Sequence, residues 1–196
     1  MERLARAAAG WEDILAAPEG VKAEVIAGEL FLHRGRQPAH AMAQAALSGE
    51  LGPRFYHGRG GPGGWWLINE PDVDFGPHDV VSPDLVGFRR ERVPEFPAER
   101  PIRAVPDWVC EVFSPSTVRR DRIEKADLYL RSGVPHLWFV DLDSRILEAF
   151  EARAGAWVRP GAWTDGDQPR VPPFEAIELP VGSLFPPPAP RPASTA

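Results

Sequence analysis

The stretch that decides the fold is "DWVCEVFSPSTVRRDRIEKADLYLRSGVPHLWFVD", residues 107–141. It opens with an apolar run bearing one acid and closes with another apolar run, "HLWFVD". Runs this short and this rich in β-branched and aromatic residues read as buried strands. Between them, Ser114-Pro115 supplies a helix start, and Gly133 with Pro135 supplies a stop. Strand, helix, strand is a βαβ unit, right-handed by default, so the two strands are expected as parallel neighbours. In the first strand, alternation sets Trp108, Cys110 and Val112 on one face and Val109, Glu111 and Phe113 on the other.

Glu111 is the anomaly. A strand this apolar is covered on both faces, and a carboxylate there needs a partner or costs several kcal/mol, roughly. A buried ion pair with a basic side chain and a bound metal ion both satisfy it. Upstream, "VVSPDLVGF" places Asp84 at the start of another short strand, on the face of Val86 and Phe88. Proline before aspartate is also a common turn device. If the two strands are neighbours, the carboxylates of Asp84 and Glu111 converge at one edge of the sheet. Two hard oxygen ligands with water positions left open suit Mg²⁺ or Mn²⁺, and such an ion serves phosphodiester hydrolysis.

A cation completes the set. The chain has two lysines, Lys22 and Lys125, and otherwise uses arginine. At about 100° per residue, Ile123, Ala126 and Leu130 form the clearest core stripe of the helix. Asp121, Lys125, Leu128 and Tyr129 form another. Lys125 is then either half of an exposed pair with Asp121, worth about 0.3–0.5 kcal/mol, or a group reaching back to the carboxylates.

Outward from this unit, "KAEVI" and "ELFLHR" form a hairpin about Ala27-Gly28. "PAHAMAQAALSGELGPRF" is a helix opened by Pro38 and ended near Gly52-Pro53. "GWWLINEPDVDF" is extended, and "SRILEAFEA" with "AWVRP" forms a second hairpin. The chain has 196 residues, 43% of them hydrophobic, which suits one domain over 1–184. The tail 185–196, "FPPPAPRPASTA", is too Pro-rich to pack and is expected to be disordered.

Composition removes several classes of function. No apolar run reaches the roughly 20 residues of a membrane span, and the N-terminus does not read as a signal peptide. The single cysteine, Cys110, excludes an internal disulfide and suits the cytoplasm. His33, His40, His57, His78 and His136 lack zinc-site spacing, and His40 near a helix start reads as structural or as a surface group. "GRGGPGG" lacks the ending of a phosphate loop. Trp65, Trp66, Trp157 and Trp163 could stack bases, although packing is commoner. The net charge is −6, yet arginines cluster at 89, 90 and 92, at 100 and 103, and at 119, 120 and 122, where they could meet a nucleic-acid backbone or simply face water.

In order and spacing, "EVIAGEL" (24–30), "SPDLVGF" (82–88), "DWVCEVFSPST" (107–117), "RDRIEKADLYLRSGVPHLWFVD" (120–141) and "RILEAFE" (145–151) resemble the Uma-type (Uma two) restriction endonuclease family of the PD-(D/E)XK nuclease superfamily. The resemblance spans roughly 10–185. It implies an α/β, restriction-endonuclease-like core, αβββαβ, with a central mixed β-sheet flanked by helices and an N-terminal β-hairpin extension. It also implies metal-dependent hydrolysis of DNA, with Asp84 and Glu111 as metal ligands for Mg²⁺ or Mn²⁺ and Lys125 as the catalytic lysine. The superfamily's lysine normally stands two residues after the second acid, where this chain has Phe113. Lys125 on the next helix takes its place. The family often has aspartate where this chain has Ala27, and Glu24 could be a supporting acid near the site. Pairing of two subunits to cut both strands makes a homodimer the expected state. The rival reading is a nuclease scaffold that binds nucleic acid or a protein without cutting.

Overall fold

The computed structural model describes residues 8–34, 37–113 and 121–187. The short helix α1 (Trp11–Leu15) leads into the hairpin β1 (Val21–Ile26) and β2 (Glu29–Arg34). Ala27 and Gly28 both take positive φ, 50° and 77°, the two-residue turn that matches strand twist. Helix α2 (Pro38–Leu51) follows and runs into a π turn at Gly52–Tyr56. Then come β3 (Trp65–Asn69), β4 (Val73–Gly76), β5 (Asp79–Val81), β6 (Leu85–Arg89) and β7 (Trp108–Phe113). A second π turn, Asp121–Lys125, feeds α3 (Ala126–Arg131). The chain closes with β8 (His136–Asp141), β9 (Ile146–Arg153), β10 (Ala156–Trp163) and a 3₁₀ turn at Val181–Leu184.

The central sheet is mixed and six-stranded, in the order β10-β9-β8-β7-β6-β3. β7 and β8 are parallel from Trp108↔His136 to Phe113↔Asp141, and the other pairings are antiparallel. The expected βαβ unit and the flanking helices are therefore present. The expected hairpin extension is larger than its sequence signal, because β1 also pairs with β5. The result is a second sheet in the order β2-β1-β5-β4. β5 is only three residues long and sits beside turn residues, too short to show a period.

Every residue of β7 is buried. One face packs Trp108, Cys110 and Val112 under Ala43, Leu47 and Leu51 of α2. Phe174 fills the middle of that layer, with ring centroids 4.9 Å from Trp108, 4.8 Å from Trp65 and 4.6 Å from Phe55. The other face packs Val109 and Phe113 with Val86, Phe88 and, from α3, Leu128 and Tyr129. Gly87 lies against the aromatics of the first layer: a Cβ there would stand 3.0 Å from Trp65 and 3.2 Å from Trp108, so only glycine fits without movement.

The stripe expected to anchor the helix after β7 is corrected. Ile123 is 60% exposed, while Lys125, Ala126, Leu128 and Tyr129 are buried. The π turn changes the angular step, so a regular wheel drawn through 121–125 misplaces its first residues. The Ser-Pro start at 114–115, Arg119, Arg120 and the tail from 188 lie outside the described residues. Phe185, counted with the tail, is 4% exposed and joins the core of Phe174. Among the described residues, no helix is long and apolar enough to cross a membrane.

Candidate functional site

Asp84 precedes β6. The register Leu85↔Cys110 and Val86↔Val109, continued one step, sets Asp84 opposite Glu111. Instead of a backbone pair, the Asp84 carboxylate accepts the Val112 N–H at Oδ2, 2.7 Å away. Its side chain thus extends the β6–β7 ladder while facing the end of α2. There His40 Nε2 lies 3.1 Å from Oδ2, and Gln44 Nε2 donates to Oδ1 at 3.1 Å. His40, Gln44 and Ser48 recur every fourth residue, a polar row beside the apolar row of Ala43, Leu47 and Leu51. Gln44 also donates to Glu70 Oε1 at 2.8 Å. Glu70 follows β3 in the left-handed region, φ 51°, and its N–H donates to the Asp84 carbonyl at 3.1 Å.

Glu111 points to the α3 side of the sheet. Its Oε1 accepts from Tyr129 Oη at 2.5 Å and from Lys125 Nζ at 3.1 Å. Lys125 is 3% exposed and also contacts Glu24 Oε1 at 2.9 Å. Glu24 comes from β1, where alternation sends Ala23 and Val25 into a small core with Ile14 and Val80. Glu24 is sent the other way, with Ile26, toward the six-stranded sheet. It accepts the Ser82 N–H at 2.9 Å, and its Oε2 lies 3.0 Å from His33 Nε2. Lys22 stands 4.0 Å from Glu24 and 3.8 Å from Asp84. Glu111, Lys125 and Glu24 therefore form one buried cluster, and the partly exposed Lys22 stands between Glu24 and Asp84.

Burial alone pushes the Glu24 carboxyl up. The Lys125 ammonium, then Lys22 and the His33 and Lys125 hydrogen bonds, outweigh it and hold the group well below the usual carboxylate range. Asp84 follows the same pattern: burial pushes it up, and the His40 hydrogen bond with the Lys22, His40 and Lys125 charges brings it below its ordinary value. Tyr129 is pushed well up, first by burial and then by the Glu111 charge. Burial likewise pushes the Cys110 thiol well up, with Asp84 and Glu111 adding to it, so Cys110 is an inert core residue.

One ligand atom each from His40, Glu70 and Asp84 lies within 4.8 Å of the others. Donors around a Mg²⁺ or Mn²⁺ ion stand about 2.0–2.2 Å from it, up to about 4.4 Å apart across the shell. The 4.8 Å bound on the set is slightly wider than that shell, so the three donors would have to close in by a few tenths of an ångström to share one ion. The imidazole nitrogen suits Mn²⁺ better than Mg²⁺. Among the described residues this set does not include Glu111. A cleft of about 710 Å³ lies over this network, with Lys22, His33, Glu70 and Ser82 on its wall.

Sequence reasoning missed Lys22, His33, Gln44, Glu70 and Tyr129, and read His40 as structural or as a surface group. The four-residue recurrence of polar side chains in α2 was the available signal. Of the arginines, Arg92 is tied to Asp107 at 2.9 Å and Arg122 to Glu148 at 2.5 Å. Trp65 is buried, Trp163 packs on the core, and Trp157 donates to the Ala126 carbonyl at 2.9 Å.

No curated protein matches the chain in sequence. Among solved structures, it is similar to one described as a "putative nuclease belonging to DUF820" from Anabaena variabilis ATCC 29413. The TM-score is 0.65 at 20% identity, over 90% of this chain and 97% of the other. That likeness shows the fold. The Uma2 family, described as "Putative restriction endonuclease", matches residues 11–182, and this chain belongs to it.

Proposed function

We propose that the protein is a metal-dependent endonuclease hydrolysing DNA phosphodiester bonds at this site. Asp84 and Glu111 are the acids of the family pattern and would hold Mg²⁺ or Mn²⁺. The donors gathered around Asp84 are His40 and Glu70, and Glu111 would have to turn from Lys125 and Tyr129 to join them. A bound ion supplies charge stabilisation at the phosphate and an acidified water. The chain's own groups do the positioning. Val112 N–H and Gln44 fix the Asp84 carboxylate, and Tyr129 and Lys125 fix Glu111. Lys125, clamped by two acids, stays an ammonium that can hold the attacking water or offset charge on the phosphate. Lys22, on the cleft wall, presents a second cation to an incoming phosphate.

The observation that carries this reading is Lys125. It is buried and bonded to Glu111 although the superfamily's usual lysine position, 113, holds an aromatic residue. A homodimer whose two subunits cut the two DNA strands, in a reducing cytoplasm that leaves Cys110 a thiol, completes the proposal.

Supercoiled plasmid incubated with Mg²⁺ or Mn²⁺ tests it. Wild type nicks or linearises the DNA, and Asp84→Asn and Lys125→Ala do not. Intact DNA across ions and substrate forms, together with no ion-dependent rise in melting temperature, would favour the alternative. In that reading, suggested by Phe113 and the net charge of −6, the fold binds nucleic acid or a protein without cutting.

A further inference from the structure

The chemistry above leaves one aromatic cluster unused. Trp66, on the outermost strand β3, carries the Arg90 guanidinium 3.9 Å from its ring, and Tyr56 lies 5.1 Å from the same cation. Arg90 donates to the Tyr56 carbonyl at 2.9 Å, and Trp66 Nε1 donates to the Val93 carbonyl at 2.9 Å, so the stack is fixed. Phe96 meets Trp66 edge to face, with centroids 5.6 Å apart at 83°. It nevertheless remains 53% exposed, on a segment stiffened by Pro94, Pro97 and Pro101.

A single exposed apolar side chain is ordinary. The position of Phe96 sets it apart. It lines the cleft that carries Lys22, His33 and Glu70, and also a neighbouring groove of about 370 Å³ formed with Ser48, Tyr56 and Asn69. Ile68 lies on both walls too. Phe96, Ile68 and Glu70 thus line one continuous cleft wall.

We propose that Phe96, backed by the Trp66–Arg90 stack, is a stacking site for an unpaired nucleobase of the substrate strand, in the same cleft as Glu70. The inference rests on the nuclease reading for the path of the strand. Every base has a π face, so stacking selects unpaired over paired bases without reading sequence. The Arg90 cation behind the ring adds attraction for the flanking phosphate. In a blunt duplex all but the two terminal base faces are covered, so a duplex whose ends are blocked gains nothing at Phe96. The substrate this favours has single-stranded character: a free strand, an overhang or a frayed end.

The test is fluorescence anisotropy of a labelled oligonucleotide of about twelve nucleotides, in EDTA at fixed low salt, as a single strand and as a duplex with blocked ends. Phe96→Ala should weaken single-strand binding about ten-fold, as expected for one lost base stack, and leave the duplex within about two-fold. Phe96→Trp should restore the single-strand affinity. An abasic substitution at one position should reproduce the loss and add nothing further in Phe96→Ala. An unchanged melting temperature of the variant checks its fold. Equal single-strand affinities of wild type and Phe96→Ala, binding confined to duplex, or no binding of either form would each overturn the stacking site. If the wild type still cuts plasmid with Mg²⁺, the nuclease reading survives that failure. Phe96-dependent binding without any cleavage would keep the stacking site and remove the nuclease reading.

Discussion

Lys125 Nζ lies 2.9 Å from Glu24 Oε1 across the gap between the two sheets, and one side chain thereby joins the hairpin to β7. The same nitrogen reaches Glu111 Oε1 at 3.1 Å. The hairpin that reads as an extension at the sequence level therefore contributes an acid to the centre of the site.

Removing Lys125 leaves two buried carboxylates without their shared cation. Breaking a buried pair from one side costs about 3–5 kcal/mol. Lys125→Ala should lower stability by that order in urea titration, as well as abolishing cleavage. Lys125→Arg keeps the charge but not the shape of the pocket, and should recover stability more than activity.

Glu24 sets an acid limit. Its folded-state carboxyl lies well below the ordinary value of 4.5. A depressed carboxyl contributes stability that is present above the unfolded value and lost as pH falls through the folded one. Wild-type stability should therefore fall below about pH 4.5. Glu24→Gln should be less stable at neutral pH and should show a flatter melting-temperature profile in that acid range.

The Tyr129 hydroxyl orients Glu111. Tyr129→Phe removes one buried hydrogen bond and should cost about 1–3 kcal/mol. Because the hydroxyl orients a proposed metal ligand, kcat should fall and the concentration of Mn²⁺ giving half-maximal activity should rise, by about 10-fold or more in one or both. Unchanged activity and unchanged Mn²⁺ dependence would remove Glu111 from the metal site.

His40 and Glu70 should be felt through the ion. A divalent cation at one hundred times its Kd stabilises the folded state by about 2.7 kcal/mol. The Mn²⁺-dependent rise in melting temperature should shrink in His40→Ala and in Glu70→Gln. Stability without metal should change less than in Lys125→Ala.

Phe174 tests the packing. It is buried among Trp65, Trp108 and Trp138, and Phe174→Ala should cost about 3–5 kcal/mol, measured by urea titration, with the site chemistry intact in the folded fraction.

The sequence reading went furthest where local pattern and tertiary demand agree. The β7–helix–β8 unit was legible because its strands are continuously apolar and its helix end is signalled by Gly133 and Pro135. The burial of Glu111 was legible because an acid breaks an apolar strand. Asp84 and Lys125 were singled out by the Pro-Asp element, by the scarcity of lysine and by the family resemblance, and both are buried. Lys22, Gln44 and Glu70 were not legible, because each is an ordinary polar residue of a half-exposed element, and its partner is fixed only by the approach of two sheets and α2. The segment around Phe174 was equally opaque: it packs seven apolar residues, from Val171 to Phe185, without a regular period.

The π turn at Asp121–Lys125 gives spacing in this stretch unusual leverage. Deleting one residue there would restore ordinary winding and swing position 125 around the helix axis by about 100°. Lys125 would then be carried away from Glu24 and Glu111 with every side chain of the site unaltered. In relatives of this protein, the length of the connection between the second acid and the helix should therefore separate working from silent copies better than the identity of the residues within it.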